Sequence, residues 1–310
     1  MSLLETPFVN RVLTTALRGI APLVIRTSQE IVDEFADAPG DRTTIEVPTR
    51  HGAVQCIVYS PPKGTAAPAI YLNFHGGGYL VRLPQQDDHI CRALAVGAGV
   101  VVLNVDYDTT PQVKFPVAIE EGVDILNWVV DNADAQGWDG SRLIVGGQSA
   151  GGAIATAIAR SARDAGGPRI ALQVLNYPPL DLTVPGGEKP WLAEKPAVSP
   201  GVSRVLDYAY APNVADRTHP FISPAYGPNL EPVDGVHPLA GMPPTHMQTA
   251  ALDGLREEDH RYADALREAG VPVVVHEFGG VDHGFNIRPP VGPARESVDL
   301  MVEQVIDAIS

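Results

Sequence analysis

Apolar positions along this chain change period repeatedly, and the changes mark out its elements. Over residues 1 to 40, Phe8, Val12, Leu13, Leu17 and Ile20 recur at helical spacing and predict two helical pieces, ending at Ala38-Pro39-Gly40. Thr43 to Val47 and Val54 to Tyr59 are β-rich runs around His51-Gly52, which reads as a hairpin. Strands and helices then alternate. Ala69 to Phe74 is a strand, Asp88 to Val96 a helix, Val100 to Val105 a strand, and Val117 to Val130 a helix begun by Pro116. Leu143 to Val145 is a strand running into a small-residue helix over Ala150 to Ala159, and Ile170 to Asn176 is a buried strand. Near-continuous apolar strands separated by helices indicate a parallel sheet covered on both faces.

The rhythm breaks between Thr183 and Pro244, where 12 of the 29 prolines fall. Proline at that density predicts irregular structure and short helices inserted into the α/β pattern, in a position suited to walling a site. The alternation resumes with a strand over Thr245 to Ala251, a helix over Glu258 to Ala269 stopped by Gly270, and a last strand over Val273 to Phe278. Val298, Met301, Val302, Val305, Ile306 and Ile309 form the apolar face of a closing helix. The expected organisation is an N-terminal helical segment, 1–40, and a catalytic α/β domain, 41–310, interrupted at about 183–244.

Composition narrows the function. Hydrophobic residues make up 45% of the 310 and charged residues 19%, which suits a globular chain with a sizeable core. Lys and Arg number 22 against 37 Asp and Glu, a net charge of −15. Such a field repels phosphate backbones and anionic lipid, so nucleic acid is excluded as a partner. Cys56 and Cys91 have no metal-ligand spacing and read as reduced and structural. Charged Glu5, Arg11 and Arg18 interrupt the N-terminal apolar runs, so neither a signal peptide nor a membrane span is expected, and the expected location is cytoplasmic. No phosphate-binding or dinucleotide loop and no metal motif is present, so no cofactor and no metal are expected.

The chemistry gathers at Gly147-Gln148-Ser149-Ala150-Gly151, set where a strand turns into a helix. That context defines a nucleophile elbow, whose glycines allow a turn tight enough to present the Ser149 hydroxyl. A serine nucleophile needs a base, and the base needs an orienting acid. In open α/β sheets these groups meet at the C-terminal ends of the strands. Of nine histidines, His283 lies in the loop after the final strand, within Gly-Gly-Val-Asp-His-Gly-Phe. Asp253, after the Thr245 to Ala251 strand, is the favoured acid. Asp181 is its rival, otherwise a turn or capping residue, while Asp282 adjoins His283 and points away from it. Glu257 reads as a solvated carboxylate at a helix start. His75-Gly76-Gly77-Gly78 directly follows a strand, so its backbone N–H groups can reach a ligand unobstructed, with His75 as a brace.

With those residues in hand, the chain resembles the hormone-sensitive lipase family in its bacterial carboxylesterase branch. The resemblance runs from about Tyr71 to Phe285. It rests on His75 to Gly78, on Tyr107, Pro111, Phe115 and Pro116, on the elbow, on Tyr177-Pro178 and Ser223-Pro224, on Asp253 to Glu258, on Leu266 to Gly270, and on His283-Gly284-Phe285. It implies an α/β-hydrolase fold with a mostly parallel eight-stranded sheet, capped by the N-terminal segment and the insertion. It also implies a triad of Ser149, Asp253 and His283, and an oxyanion hole from the N–H groups of Gly76, Gly77 and Ala150. The implied activity is hydrolysis of short- to medium-chain esters, with a homodimer as a possible assembly. An amidase, lactonase or deacetylase would use the same groups. A non-catalytic small-ligand receptor on this fold is disfavoured by His283, which such receptors lose. Three departures from the family pattern stand out: Gln148 for an acidic residue, Gly254 for proline, and Asp108-Thr-Thr-Pro-Gln112 for Arg-Leu-Ala-Pro-Glu.

Overall fold

Eight strands form one sheet in the order β1-β2-β4-β3-β5-β6-β7-β8 in the computed structural model, which describes residues 6–36 and 41–310. The expected end of the N-terminal segment at Ala38-Pro39-Gly40 lies outside the described residues. β1 (Arg42–Thr49) and β2 (Gly52–Tyr59) are the expected hairpin, and β2 also runs antiparallel to β4. All other pairings are parallel: β3 (Ala69–Phe74) lies between β4 (Val101–Val105) and β5 (Asp139–Gln148), followed by β6 (Ile170–Asn176), β7 (Thr245–Ala250) and β8 (Val273–Phe278).

The near-continuous apolar strands are explained by burial on both faces. Ile70, Leu72 and Phe74 of β3 and Leu143 and Val145 of β5 join one core. Tyr71 and Ile144, one residue out of step, join the other. The first core is filled from α4 (Val117–Asp131), the small-residue face of α6 (Ala150–Asp164) and α8 (Arg256–Glu268). The second is filled from α2 (Gln29–Glu34), α3 (Asp88–Gly97) and α9 (Val291–Ile309). A single turn of helix, α5 (Ala133–Gln136), precedes β5. Cys56 and Cys91 are both free and buried.

Two amphipathic faces differ from expectation. In α1 (Pro7–Val24), Phe8 is 78% exposed and Val12 and Ile20 are more than half exposed, whereas the buried positions are Asn10 and Thr14. On the inner side, Asn10 donates its side-chain N–H to the Val205 carbonyl of α7 (Pro200–Tyr210) at 3.1 Å. In α9, Ile306 is 41% exposed, and Ser297 takes an inner position against Gln248. Between β6 and β7 the chain has α7, short 3₁₀ turns and irregular stretches, as its prolines require. Among the described residues, no helix is long and apolar enough to cross a membrane.

Candidate active site

Sheet order brings the candidate residues together. β5 is central, β3 and β6 flank it, and β7 and β8 follow on the β6 side. Phe74 pairs with Gly147, Gln148 with Asn176, and Ala250 with Phe278, so the loops after these strands all emerge at one edge.

Ser149 stands between β5 and α6 at φ 52°, ψ −122°, a conformation L-residues adopt at a cost of about 1–3 kcal/mol. Its N–H donates to the Asn176 carbonyl at 2.9 Å, and its carbonyl accepts from Gly152 and Ala153 of the helix. The flanking glycines are sterically required. A Cβ at Gly147 would lie 2.4 Å from the Phe74 carbonyl oxygen and 2.5 Å from Gly151, and one at Gly151 would lie 1.8 Å from that same oxygen. The obstruction is therefore β3 as well as the other arm of the turn.

His283 Nε2 is 2.8 Å from Ser149 Oγ, and His283 Nδ1 is 2.7 Å from Asp253 Oδ2. A carboxylate only accepts, so Nδ1 carries the proton and the Nε2 lone pair faces the serine. Asp253 is 1% exposed, and its other oxygen accepts the Leu255 N–H at 3.0 Å, which fixes the carboxylate plane. Tyr177 packs edge-on against the imidazole at 4.8 Å.

The other acidic candidates are engaged elsewhere. Asp181 accepts the Thr183 N–H at 3.0 Å and pairs with Arg261 at 2.7 Å. Asp282 accepts the Ala197 N–H at 2.6 Å, and Glu257 is exposed.

Gly76 lies beside Ser149: a Cβ on it would be 3.6 Å from Ser149 Cβ. The loop's carbonyls are tied down in turn. That of His75 accepts from the Tyr107 hydroxyl at 2.8 Å, that of Gly76 contacts His75 Nδ1 at 2.6 Å, and that of Gly77 accepts the Leu80 and Val81 N–H groups. Gly77 (φ 122°) and Gly78 (φ 60°) occupy conformations suited to glycine. His75 is stacked on Tyr107 at 4.5 Å, and burial pulls its pKa down to about 4, so it is a neutral brace. Ala150 opens α6, where its N–H shares the positive end of the helix.

A cavity of about 240 Å³ opens onto Ser149 and His283. Leu17, Ile20 and Ala21 of α1 and Val202 and Leu206 of α7 supply apolar walls.

Two of the departures from the family pattern acquire physical reasons. A Cβ at Gly254 would lie 2.6 Å from the Trp191 ring, so the inserted segment can lie on this loop only over glycine. Asp108 pairs with Arg82 at 2.7 Å, and Gln112 bonds Arg18 of α1. Gln148 is buried, its Nε2 a long 3.5 Å from Asn73 Oδ1.

Sequence reasoning missed Lys189 and its pairing with Glu258, a 2.6 Å ion pair whose side chains are 2% and 5% exposed. Glu258 also accepts the Leu180 and Asp181 N–H groups. Burial alone would lower the Lys189 pKa, but Glu258, Asp207 and Asp181 outweigh it and hold the ammonium charged. Asp87 was missed too. It is buried with one oxygen on Asn73 Nδ2 at 3.0 Å, and burial raises its pKa to about 7. Among the described residues, no cluster of three or more His, Cys, Asp or Glu could hold a metal ion.

Comparison with known proteins agrees with this architecture. The family described as alpha/beta hydrolase fold matches residues 71–287. Esterase LipI of Mycobacterium tuberculosis is 33% identical over 90% of this chain and 82% of its own length. The ethyl acetate hydrolase of Pseudomonas putida is 32% identical over 91% and 86%. Among solved structures, an esterase from Pyrobaculum calidifontis superposes with a TM-score of 0.80 at 29% identity, covering 98% of this chain and 99% of that one. The chain belongs to the alpha/beta hydrolase fold family. Within it, its place is the bacterial carboxylesterase branch of the hormone-sensitive lipase group.

Proposed function

We propose that this carboxylic ester hydrolase works through Ser149 as nucleophile, His283 as base and Asp253 as orienting acid, on short- to medium-chain esters. The observation that carries the reading is the pair of bonds on one imidazole, 2.8 Å to Ser149 and 2.7 Å to Asp253.

Ser149 Oγ bonds to the ester carbonyl carbon as its proton passes to His283 Nε2, and buried Asp253 stabilises the imidazolium. The carbonyl oxygen gains the charge, and the N–H groups of Gly76, Gly77 and Ala150 receive it. Each such donor contributes on the order of 3 kcal/mol to the transition state. The carbon–oxygen bond then breaks, and the alcohol leaves with the proton from Nε2. Water attacks the acyl-enzyme, its proton passes to Nε2 and on to Ser149 Oγ, and the acid departs.

α1 and the segment at 183–244 act together as a cap, and the 240 Å³ cavity beneath favours modest acyl chains. The enzyme is taken to work in the cytoplasm. A second copy of the chain would meet it at the sheet edge, where β8 is terminal and exposes Val274.

The test is hydrolysis of p-nitrophenyl esters from acetate to palmitate by wild type and Ser149→Ala. We expect turnover of the short chains by wild type and a loss of at least about 10⁴-fold in the variant, with its melting temperature nearly unchanged. Retained turnover in the variant would remove Ser149 from the mechanism.

A further inference from the structure

The charged groups lining the catalytic cavity have local partners, with one exception. His283 is bound to Asp253, and Lys189 is bonded to Glu258 and to the Asp181 carbonyl. Asp207 accepts the Gly186 N–H and sits in the field of Lys189, and Asp87 is met by Asn73. Arg288 is the exception. It lines the cavity together with Ser149 and His283, is half-buried, and forms no salt bridge among the described residues. Carboxylates are abundant in a chain with 37 of them, and Arg42, Arg50, Arg82, Arg256 and Arg295 each hold one.

Its backbone is fixed relative to the base. Arg288 comes directly after the 3₁₀ turn Phe285–Ile287, which starts two residues past His283 and is buried throughout. The Ile287 carbonyl accepts the Ser28 N–H at 2.9 Å, the Arg288 N–H reaches Phe285, and the rings of Pro289 and Pro290 stiffen the chain on its other side. The Arg288 charge is felt at Tyr177, the ring packed edge-on against His283.

We propose that Arg288 binds a carboxylate on the substrate, so that the site selects esters bearing one free carboxylate over neutral esters of the same size. This specificity role rests on the ester-hydrolase mechanism above. A guanidinium is weakly hydrated and matches a carboxylate with two parallel N–H bonds, so a half-buried, unpaired arginine is a ready receptor for that group. The apolar walls from α1 and α7 accommodate the hydrocarbon between ester and carboxylate.

The test compares kcat/KM by acid release for two pairs of esters. Monomethyl glutarate against methyl pentanoate puts the carboxylate on the acyl side, and 4-acetoxybutyrate against pentyl acetate puts it on the alcohol side. In the matching pair, we expect the anionic-to-neutral ratio to fall about tenfold in Arg288→Gln and to recover in part in Arg288→Lys. The arm that responds identifies the side of the ester. A ratio unmoved in both arms overturns the proposal while leaving the esterase mechanism standing. If wild type turns over none of the four esters, the mechanism fails on its own account. Arg288 is then read from calorimetric binding of monomethyl glutarate to Ser149→Ala. At least fivefold weaker binding on adding Arg288→Gln supports the proposal, and equal binding both of monomethyl glutarate and of 4-acetoxybutyrate, titrated in the same way, overturns it.

Discussion

At the scale of single residues, burial acts on groups that line the cavity or support it. Asp87 shows how sharply burial can tune one of them. Its carboxyl has an ordinary value of 3.8 and a folded value of about 7, so between those limits the folded chain binds a proton that the unfolded chain has lost. Stability on this account is greatest at low pH and falls as pH rises through that window, by on the order of 4 kcal/mol in total. Asp87→Asn keeps an acceptor for Asn73 and removes the titration. The melting temperature of the variant relative to wild type should therefore be higher at pH 8 than at pH 5, and a difference independent of pH would show that Asp87 ionises normally. The same scale shows what spacing can reveal. Ser149, Asp253 and His283 were legible because each comes after a strand that periodicity alone locates. Asp87 was illegible, since nothing in its sequence neighbourhood announces that Asn73 and the floor of the cavity enclose it.

At the scale of elements, most strands were read nearly to the residue. Ala69–Phe74 and Ile170–Asn176 coincide with their apolar runs because both faces are buried there, and Val273–Phe278 coincides although it is a partly exposed edge strand. β5 runs further, Asp139–Gln148, than the apolar Leu143 to Val145. α1 was read as a helix, but Phe8 and Val12 of its apolar set lie outward and Asn10, bonded to α7, inward, a polar contact that counting apolar residues ignores. The Lys189–Glu258 pair was invisible for a related reason: its members lie 69 residues apart, and one sits in a stretch without period. It pins the inserted segment to α8. Lys189→Met leaves the Glu258 carboxylate buried without its counter-charge and should destabilise the fold by about 3–5 kcal/mol. Urea unfolding would measure this, and limited proteolysis should open residues 183–199 first. Lys189→Met/Glu258→Gln, which retains an acceptor for Leu180 and Asp181, should recover much of the loss. A double variant no more stable than the single one would show that the charge is not the cause.

At the scale of the whole molecule, catalytic body and cavity walls are separable. Ser149, Asp253 and His283 hang from the sheet, whereas apolar walls of the cavity come from α1 and α7, which pack on each other. Removing residues 1–26 spares Thr27 and Ser28, which bond Gln86 and Ile287, and α2, which inserts Ile31 and Phe35 into the core. The truncated protein should keep the circular dichroism of the folded sheet while kcat/KM for hexanoate falls at least tenfold more than for acetate. An unchanged chain-length profile would show that α1 forms no part of the acyl site.

The seat of α1 on α7 also orders events in time. The ribosome makes α1, which walls the cavity, well before its docking surface, residues 200–210. At roughly 5–20 residues per second, α1 waits on the order of ten seconds or more for α7 to emerge. Throughout that interval Leu17 and Ala21 have no wall to face, and Phe8 and Val12 gain no cover even afterwards. The polar pair Asn10 and Thr14 then acquires a second meaning. A helix that presents Asn10 to its dock exposes less apolar surface while it waits than one presenting a leucine there.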